Sequence, residues 1–313
     1  MSKLVAVGGT PLALAPSETD RLEHARDLGL RADGTESNVA VAASRLGAAA
    51  TWVSRLPDTP LGRRVVAELR EHGLNTAVDW VDDGRQGLAF SEPGRTPREG
   101  AVIEDRAGAA MAEAEANALP RAPIEHADTL FVAGSTPALS ETARRTARSL
   151  YRHFEGTRVL DLDYRPGLWS VEAAREYFTD VLDAVDVLIA RERDVERVLG
   201  ESGSAREVVH AVAAGHDLDS VVITCADGSA AARVDNVVHE VAAVEADVAN
   251  PAGDHEAFTG AVLAARLDGE PMDAALDRGA AAAALARTLD GPIPAVSAGE
   301  VQRLVDEQSS GGR

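Results

Sequence analysis

The chain contains a single cysteine and a single lysine, and each shortage limits what the protein can be. With Cys225 alone, no disulfide can form within the chain, which is typical of a reducing compartment. Lys3 is the only lysine, so thirty of the 31 basic residues are arginine. A phosphate loop of the Gly-x-x-x-x-Gly-Lys-Ser/Thr type is therefore absent. No Gly-x-Gly-x-x-Gly follows the first apolar strand either, which counts against a dinucleotide-binding oxidoreductase.

Long apolar runs are also missing. No stretch reaches the roughly 18 apolar residues that a membrane-spanning helix needs. The opening residues, Met1-Ser2-Lys3-Leu4, lead directly into an apolar segment that is typical of a core strand. We therefore expect a soluble, cytoplasmic protein.

Positive charge is scarce relative to negative charge. The 51 acidic and 31 basic residues give a formal net charge of −20. Such a chain repels nucleic acids and anionic membranes, so we expect neither as a partner. An acid-rich surface almost without lysine indicates a halophilic protein that works in concentrated salt, where charges are strongly screened. A high-GC genome, which favours arginine and alanine codons, explains the same composition, and both explanations can hold.

The hydrophobic pattern alternates between short apolar segments and amphipathic ones. The 313 residues are enough for one large α/β domain, alone or with a small appendage. Apolar segments such as Leu4–Val7 and Trp52–Leu56 predict buried strands. Helical periodicity follows Trp52–Leu56 directly, whereas after Leu4–Val7 it begins only beyond residue 33. This alternation predicts a parallel sheet with helices on both faces, whose ligands bind at the carboxyl ends of the strands. Two turn-rich segments, at about 11–32 and 78–104, leave this pattern.

The segment Asn250–Phe258 is the strongest candidate for chemistry. Gly253 opens a predicted helix over Ala257–Leu267, and the amino end of a helix attracts phosphate. A carboxylate on its first turn can accept the proton of a hydroxyl group that attacks phosphate. Taken alone, a Gly-Asp turn before a helix is more often only an N-cap.

This segment is one of four stretches, spread over nearly the whole chain, that form a set. They are residues 34–40 (Gly-Thr-Glu-Ser-Asn-Val-Ala), 56–62 (Leu-Pro-Asp-Thr-Pro-Leu-Gly), 161–169 (Asp-Leu-Asp-Tyr-Arg-Pro-Gly-Leu-Trp) and 250–258. Together they resemble the ribokinase-like (PfkB) carbohydrate kinases, most closely the 2-keto-3-deoxygluconate kinases. The resemblance implies one ribokinase-like α/β domain over residues 1–313, with a three-layer core and a mainly parallel sheet. It also implies a small β-sheet lid from about 11–32 and 78–104, and a nucleotide-side half at about 185–305. In many members the lids pair to form a homodimer.

The resemblance places a sugar acid between core and lid. It assigns substrate binding to Gly34, Asn38, Phe90, Arg106 and Arg165. Arginine suits this role because it binds carboxylate bidentately and keeps its charge. Arg165 can also be read as a surface arginine that ends a strand, but the neighbouring Tyr164 and Trp169 favour the substrate role. The family often has tyrosine where Phe90 and Glu104 stand, so a neutral sugar or a nucleoside is an alternative substrate.

On the phosphate side, the family pattern Asp-x-x-Gly-x-Gly-Asp-Ala-Phe aligns with residues 250–258 without a gap. Gly253 then supplies the first glycine of the anion hole, His255 replaces the second glycine, and Glu256 replaces the aspartate base. A gapped alignment makes Asp254 the base instead. We favour Glu256 because the ungapped match keeps Pro251 and the phase of the helix, and we keep Asp254 as the alternative.

The resemblance also implies ATP and Mg²⁺. It assigns nucleotide contacts to Thr224, Ala226, Gly228 and Asn250, and magnesium organisation to Asp194. Two of these motifs differ from the family: Asn-x-x-Glu reads Arg191-Glu192-Arg193-Asp194, and Gly-x-x-Gly reads Ala226-Asp227-Gly228-Ser229. We predict an ATP-dependent kinase of a sugar acid, with 2-keto-3-deoxygluconate as the preferred candidate. A kinase-fold protein that binds a sugar acid without phosphorylating it is the competing hypothesis.

Overall fold

The computed structural model describes residues 3–17, 20–92, 94 and 97–311, and within them thirteen strands and ten α-helices form. The strands are β1 (Lys3–Val7), β2 (Leu12–Ala15), β3 (Gly29–Ala32), β4 (Ala49–Pro57), β5 (Asn75–Val81), β6 (Leu88–Glu92), β7 (Ala101–Asp105), β8 (Thr129–Ala133), β9 (Thr157–Asp161), β10 (Val187–Arg191), β11 (Ser220–Thr224), β12 (Ala230–Val234) and β13 (Val237–Val241). The helices are α1 (Thr35–Arg45), α2 (Pro60–Glu71), α3 (Arg121–Glu125), α4 (Glu141–His153), α5 (Val171–Val181), α6 (Glu192–Val198), α7 (Ala205–Gly215), α8 (Asp254–Leu267), α9 (Met272–Arg287) and α10 (Ala298–Gly311). No helix in these described residues is both long enough and apolar enough to cross a membrane.

Nine strands form one sheet in the order β13-β12-β11-β10-β9-β8-β1-β4-β5. Seven neighbours from β11 to β5 run parallel, and β12 and β13 add an antiparallel hairpin at one edge. Asp235 and Asn236 both have positive φ angles, as the tight turn of such a hairpin requires. Apolar clusters cover both faces, one with α4 to α7 and the other with α1, α2, α8 and α9. The predicted three-layer α/β core with a mainly parallel sheet is confirmed.

A second sheet of four strands has the order β3-β2-β6-β7. Its strands fall within the two turn-rich segments at 11–32 and 78–104. The second segment begins inside β5, however, and β5 pairs with β4 in the large sheet through Val81. The second segment therefore joins the small sheet only at Leu88, where β6 begins. Cys225 directly follows β11 and is half-buried.

Helices α1 and α8 pack against each other at very short range. A Cβ on Gly260 would lie 2.5 Å from Ala42 Cβ and 2.7 Å from the carbonyl oxygen of Val39, so only glycine fits there. This contact fixes α8 relative to α1. The amino ends of the two helices thereby lie close together: Asn38 Nδ2, in the first turn of α1, donates to the carbonyl oxygen of Pro292, which also abuts Gly253 at the start of α8.

Candidate active site

The candidate residues meet at one edge of the large sheet. The neighbouring parallel strands β9, β10 and β11 end at Asp161, Arg191 and Thr224, so their carboxyl ends lie side by side. Helix α8 begins at the same edge, where His255 contacts Asp161 and Thr224, and Glu256 contacts Arg191. This is the edge where ligands bind in open parallel sheets.

Gly253 sets the start of α8. Its φ angle is +84°, and a Cβ there would lie 2.2 Å from the carbonyl oxygen of Pro292. Only glycine accommodates both the left-handed backbone and the close approach. The helix therefore begins with its first-turn N–H groups at the sheet edge, where these groups and the helix dipole favour an anion. One of them, the N–H of His255, donates to Asp254 Oδ1 at 2.6 Å.

The two candidate bases face different partners. Glu256 is buried, and its Oε1 accepts a hydrogen bond from Arg191 at 2.9 Å. Asp254 is half-buried, and its Oδ2 accepts a hydrogen bond from Arg287 Nε at 3.1 Å. The direction of each side chain thus separates the two carboxylates, although only one residue lies between them.

Two acids and two arginines form a buried charge cluster at the ends of the strands. Arg165 Nε donates to Asp163 Oδ1 at 2.9 Å, and Arg191 lies 3.5 Å from the same oxygen while it also holds Glu256. Burial by itself raises the pKa of Asp163 and of Glu256, but the neighbouring guanidinium groups outweigh it and hold both pKa values below the usual range. Both acids are therefore ionised, and the four charges balance.

His255 is buried between the ends of β9 and β11. Its Nε2–H donates to Asp161 Oδ2 at 2.8 Å, and its Nδ1 lies 2.8 Å from Thr224 Oγ1. The ring thus lies buried between the carboxyl ends of two strands. It stands at the position where the family pattern has its second glycine.

On the side of α1, Gly34 and Asn38 connect to the charge cluster. Gly34 caps the helix, and Thr35 Oγ1 donates to Asp163 Oδ2 at 2.8 Å. Asn38 Nδ2 donates to Asp33 Oδ1 at 3.0 Å. Burial, followed by the nearby negative charge of Glu256, raises the pKa of Asp33 to about 6, so this carboxyl group belongs electrostatically to the same cluster.

Arg106 differs from the two clustered arginines because it lacks an ion-pair partner. Its side chain is 5% exposed, and its NH2 group donates to the carbonyl oxygen of Gly9 at 3.2 Å. No carboxylate of the described residues lies within 4.0 Å of it. Burial lowers the pKa of Arg106, and the more distant carboxylates of Glu104 and Glu36 offset this effect only in part.

The small sheet reaches the site through Glu104 on β7. A Cβ on Gly167 would lie 3.0 Å from Glu104 Cγ, so this side chain packs against the loop that follows β9. Glu104 Oε2 is buried and has no hydrogen-bond partner among the described residues. Phe90, on the neighbouring strand β6, is half-buried and pairs in register with Leu14 and Ile103.

Two of the predicted nucleotide residues, Gly228 and Asn250, lie against Arg287, to which the sequence analysis assigns no role. A Cβ on Gly228 would lie 2.7 Å from the guanidinium of Arg287, which also pairs with Asp254. The carbonyl oxygen of Arg287 accepts a hydrogen bond from the N–H of Asn250 at 3.1 Å. Ala226, in contrast, is exposed in the turn after β11.

The sequence profile of the pfkB family carbohydrate kinases matches residues 1–298. The chain belongs to the pfkB family of carbohydrate kinases. A 2-dehydro-3-deoxygalactonokinase from Haloferax volcanii is 44% identical to it over 307 residues, which cover 97% of this chain and 96% of the relative. A 2-dehydro-3-deoxygluconokinase from Thermoproteus tenax is 29% identical over 295 residues, which cover 91% and 88%.

A solved structure leads to the same fold. The 2-dehydro-3-deoxygluconokinase from Thermotoga maritima superposes with a TM-score of 0.89 at 27% identity, covering 97% of this chain and 98% of the other. The resemblance to the pfkB kinases predicted from four sequence stretches is confirmed, as is the ribokinase-like fold.

A pfkB kinase uses ATP, typically with magnesium. Such an ion takes one or two protein carboxylates and fills its other positions with phosphate oxygens and water. Asp194, at the start of α6, is buried, and burial raises its pKa. Within the described part of the chain, no group of three or more His, Cys, Asp or Glu side chains is arranged to hold a metal by itself.

Several site residues of this pfkB protein were missed from the sequence. Asp163 lies inside one of the four stretches and Asp33 directly precedes another, and neither has a role in the sequence analysis. For Asp163, an acid beside an arginine at the end of a strand is a usable signal. Arg191 was interpreted only as the loss of a family asparagine. Arg287 ends an alanine-rich helix, where nothing in the local sequence indicates a site.

Proposed function

We propose that this pfkB-family protein transfers phosphate from ATP to a hydroxyl group of a 2-keto-3-deoxy sugar acid. The acidic substrate is supported by Arg106, a buried guanidinium that forms no ion pair with any carboxylate of the described residues. A buried charge is costly until it is paired, and the carboxylate of a sugar acid supplies a bidentate partner. Relatives named as 2-dehydro-3-deoxygalactonokinase and 2-dehydro-3-deoxygluconokinase support this substrate class.

Glu256 is the proposed base. The substrate oxygen bonds to the γ-phosphorus of ATP, the bond from that phosphorus to the β–γ bridging oxygen breaks, and its electron pair leaves with ADP. The hydroxyl proton passes to Glu256, an ionised carboxylate beside Arg165 and Asp33 on the sugar side of the cluster. The N–H groups that follow Gly253 stabilise the negative charge of the transferring group, and positioning supplies most of the acceleration.

The remaining site residues divide between a sugar side and a nucleotide side. Gly34, Asn38, Phe90 and Arg165 hold the sugar with Arg106. Thr224, Ala226, Gly228 and Asn250 line the nucleotide side, where Thr224 also orients His255. Asp194 would hold the magnesium ion, which would neutralise phosphate charge.

A coupled assay tests the proposal. ATP consumption is measured with 2-keto-3-deoxygluconate, with its galactonate epimer and with a nucleoside, in molar potassium chloride with magnesium. Glu256→Gln should abolish turnover, while Asp254→Asn, two residues away on the same helix, should retain it. Survival of turnover in Glu256→Gln with loss in Asp254→Asn would make Asp254 the base. Phosphorylation of the nucleoside alone would exclude the acid substrate and favour the neutral alternative suggested by Phe90 and Glu104.

A second candidate is a protein that binds the sugar acid without phosphorylating it. Two observations favour it: Arg191 already occupies the carboxylate of Glu256, and a histidine ring stands at the second glycine position. Its signature is a rise in melting temperature with the sugar acid and no ATP consumption by the same folded sample.

A homodimer through the small sheet is also proposed. Val102 and Ile103 lie on opposite faces of the edge strand β7 and are each 57% exposed, which supports an apolar contact along this edge between two small sheets. Val102→Asp/Ile103→Asp should shift the protein from dimer to monomer in light scattering. A wild type that is already monomeric at micromolar concentration contradicts this assignment.

A further inference from the structure

We propose that Arg191 exchanges partners when nucleotide binds: it pairs with Glu256 in the free protein and with the γ-phosphate of ATP in the complex. The inference rests on the proposed function, because it takes Glu256 as the base and ATP as the donor. It assigns to Arg191 a catalytic role at the phosphate.

Geometry places the phosphate within reach of this guanidinium. A base must lie within about 2.6–3.2 Å of the hydroxyl oxygen whose proton it takes. That oxygen lies about 3–3.5 Å from the phosphorus it attacks. Arg191 is 2.9 Å from Glu256 Oε1. It therefore lies next to the base, the attacking hydroxyl oxygen and the phosphorus, which follow one another at these short distances.

Arg191 has the donors and the anchorage for this role. A guanidinium carries five N–H donors. The hydrogen bonds of Arg191 to described side chains engage its two terminal nitrogens, one with Glu256 and one, at 3.5 Å, with Asp163. Its side chain is 18% exposed, so part of it remains open to a ligand. Its backbone ends β10 and pairs in register with Thr224, which fixes the root of the side chain at the sheet edge.

Charge balance favours the exchange. Asp163 keeps Arg165 as its partner at 2.9 Å, so Arg191 is the arginine of the cluster that can move without leaving Asp163 alone. A terminal phosphate carries more negative charge than one carboxylate and offers bidentate acceptors. Once Arg191 turns to it, Glu256 loses a neutralising cation and binds protons more strongly, at the step when the hydroxyl needs a base.

The test compares affinities for a triphosphate analogue and for ADP. Binding of AMP-PNP and of ADP, both with magnesium, is measured calorimetrically in molar potassium chloride. Arg191→Gln should weaken AMP-PNP about 10- to 100-fold, the effect of one charged hydrogen bond, and should change ADP affinity less than about threefold. Glu256→Gln frees Arg191 from its partner and should strengthen AMP-PNP several-fold. Arg206→Gln, which removes an exposed arginine of α7, is the charge-matched control and should bind like wild type.

The double variant Arg191→Gln/Glu256→Gln decides whether the two residues act together. It removes both partners of the ion pair, so it leaves neither of them buried as an unpaired charge. It should bind AMP-PNP as weakly as Arg191→Gln, because the gain from Glu256→Gln requires Arg191. An equal loss for both nucleotides, no gain in Glu256→Gln, or a wild type that binds neither nucleotide would overturn the proposal. Arg191-dependent AMP-PNP binding by a protein that does not phosphorylate the sugar acid would retain this inference and reject the proposed function.

Discussion

Glu36 is a carboxyl group that α1 buries completely. Its Oε1 accepts hydrogen bonds from the N–H of Ala133 at 3.1 Å and from the hydroxyl of Thr136 at 2.6 Å. Its Oε2 has no partner among the described residues. Burial raises its pKa to about 7, against the opposing effect of the Thr136 hydroxyl.

This pKa predicts a stability that falls as pH rises. Between the unfolded value of 4.5 and about 7, the folded protein binds more protons at Glu36 than the unfolded chain does. The contribution is therefore complete below pH 4.5 and lost as pH rises through 7, by on the order of 3 kcal/mol. Glu36→Gln should flatten this part of the pH dependence in urea unfolding. The exposed Glu141→Gln should keep the slope of the wild type, and parallel curves for wild type and Glu36→Gln would contradict the prediction.

Arg106 predicts opposite effects on function and stability. Arg106→Gln should lower kcat/KM for the sugar acid by about 10- to 100-fold, because a charged hydrogen bond to the carboxylate is lost. Its free energy of unfolding should equal or exceed that of the wild type, since an unpaired buried cation disappears. Steady-state kinetics and urea unfolding measure the two effects. Arg85→Gln, whose partner is Asp105, is the neighbouring control and should leave kcat/KM near the wild-type value. A loss of stability in Arg106→Gln would show that the arginine serves the fold.

At the scale of elements, the pair α1–α8 carries the site because each helix supplies residues at its amino end. Gly260→Ala should destabilise the fold by about 1–2 kcal/mol, since overpacking outweighs the better helix propensity of alanine. Turnover should fall as well, because a shift of α8 moves Glu256. Gly299→Ala adds the same methyl group to α10, where no atom lies within 4 Å, and should be neutral or slightly stabilising. Urea unfolding of the two variants checks this, and equal stabilities would refute the argument.

The helices and strands also show which features the sequence predicts and which it does not. Apolar runs and helical periodicity predict the core strands, most core helices and the edge of the sheet where ligands bind. They misplace the end of β5, because this edge strand is only half-buried and lacks the continuous apolar pattern of a central one. Periodicity also says nothing about contacts between distant residues such as Arg191 and Glu256, which are 65 positions apart. The directions of Asp254 and Glu256 depend on Gly253 and its contact with Pro292, which no local pattern contains.

At the scale of the whole molecule, the net charge of −20 dominates. Like charges on one surface oppose compaction, and salt at 1 M shortens their range to about 3 Å. The melting temperature should therefore rise by about 5 °C or more between dilute and molar potassium chloride. Sucrose at matched osmolality, which does not screen charge, is the control and should give a smaller rise. Equal rises in salt and sucrose would show that screening is not the cause.

The order of strands in the large sheet has a consequence for synthesis on the ribosome. β1 lies between β4 and β8, so this interior strand gains its second neighbour only after Ala133 has been made. From there, β9, β10 and β11 add to one side in the order in which they are translated. Helix α1 is made early, but the apolar side that it presents to α8 stays uncovered until the last fifth of the chain emerges. A nascent chain therefore carries an exposed hydrophobic helix and no complete site for most of its translation, which makes it a natural client for chaperones.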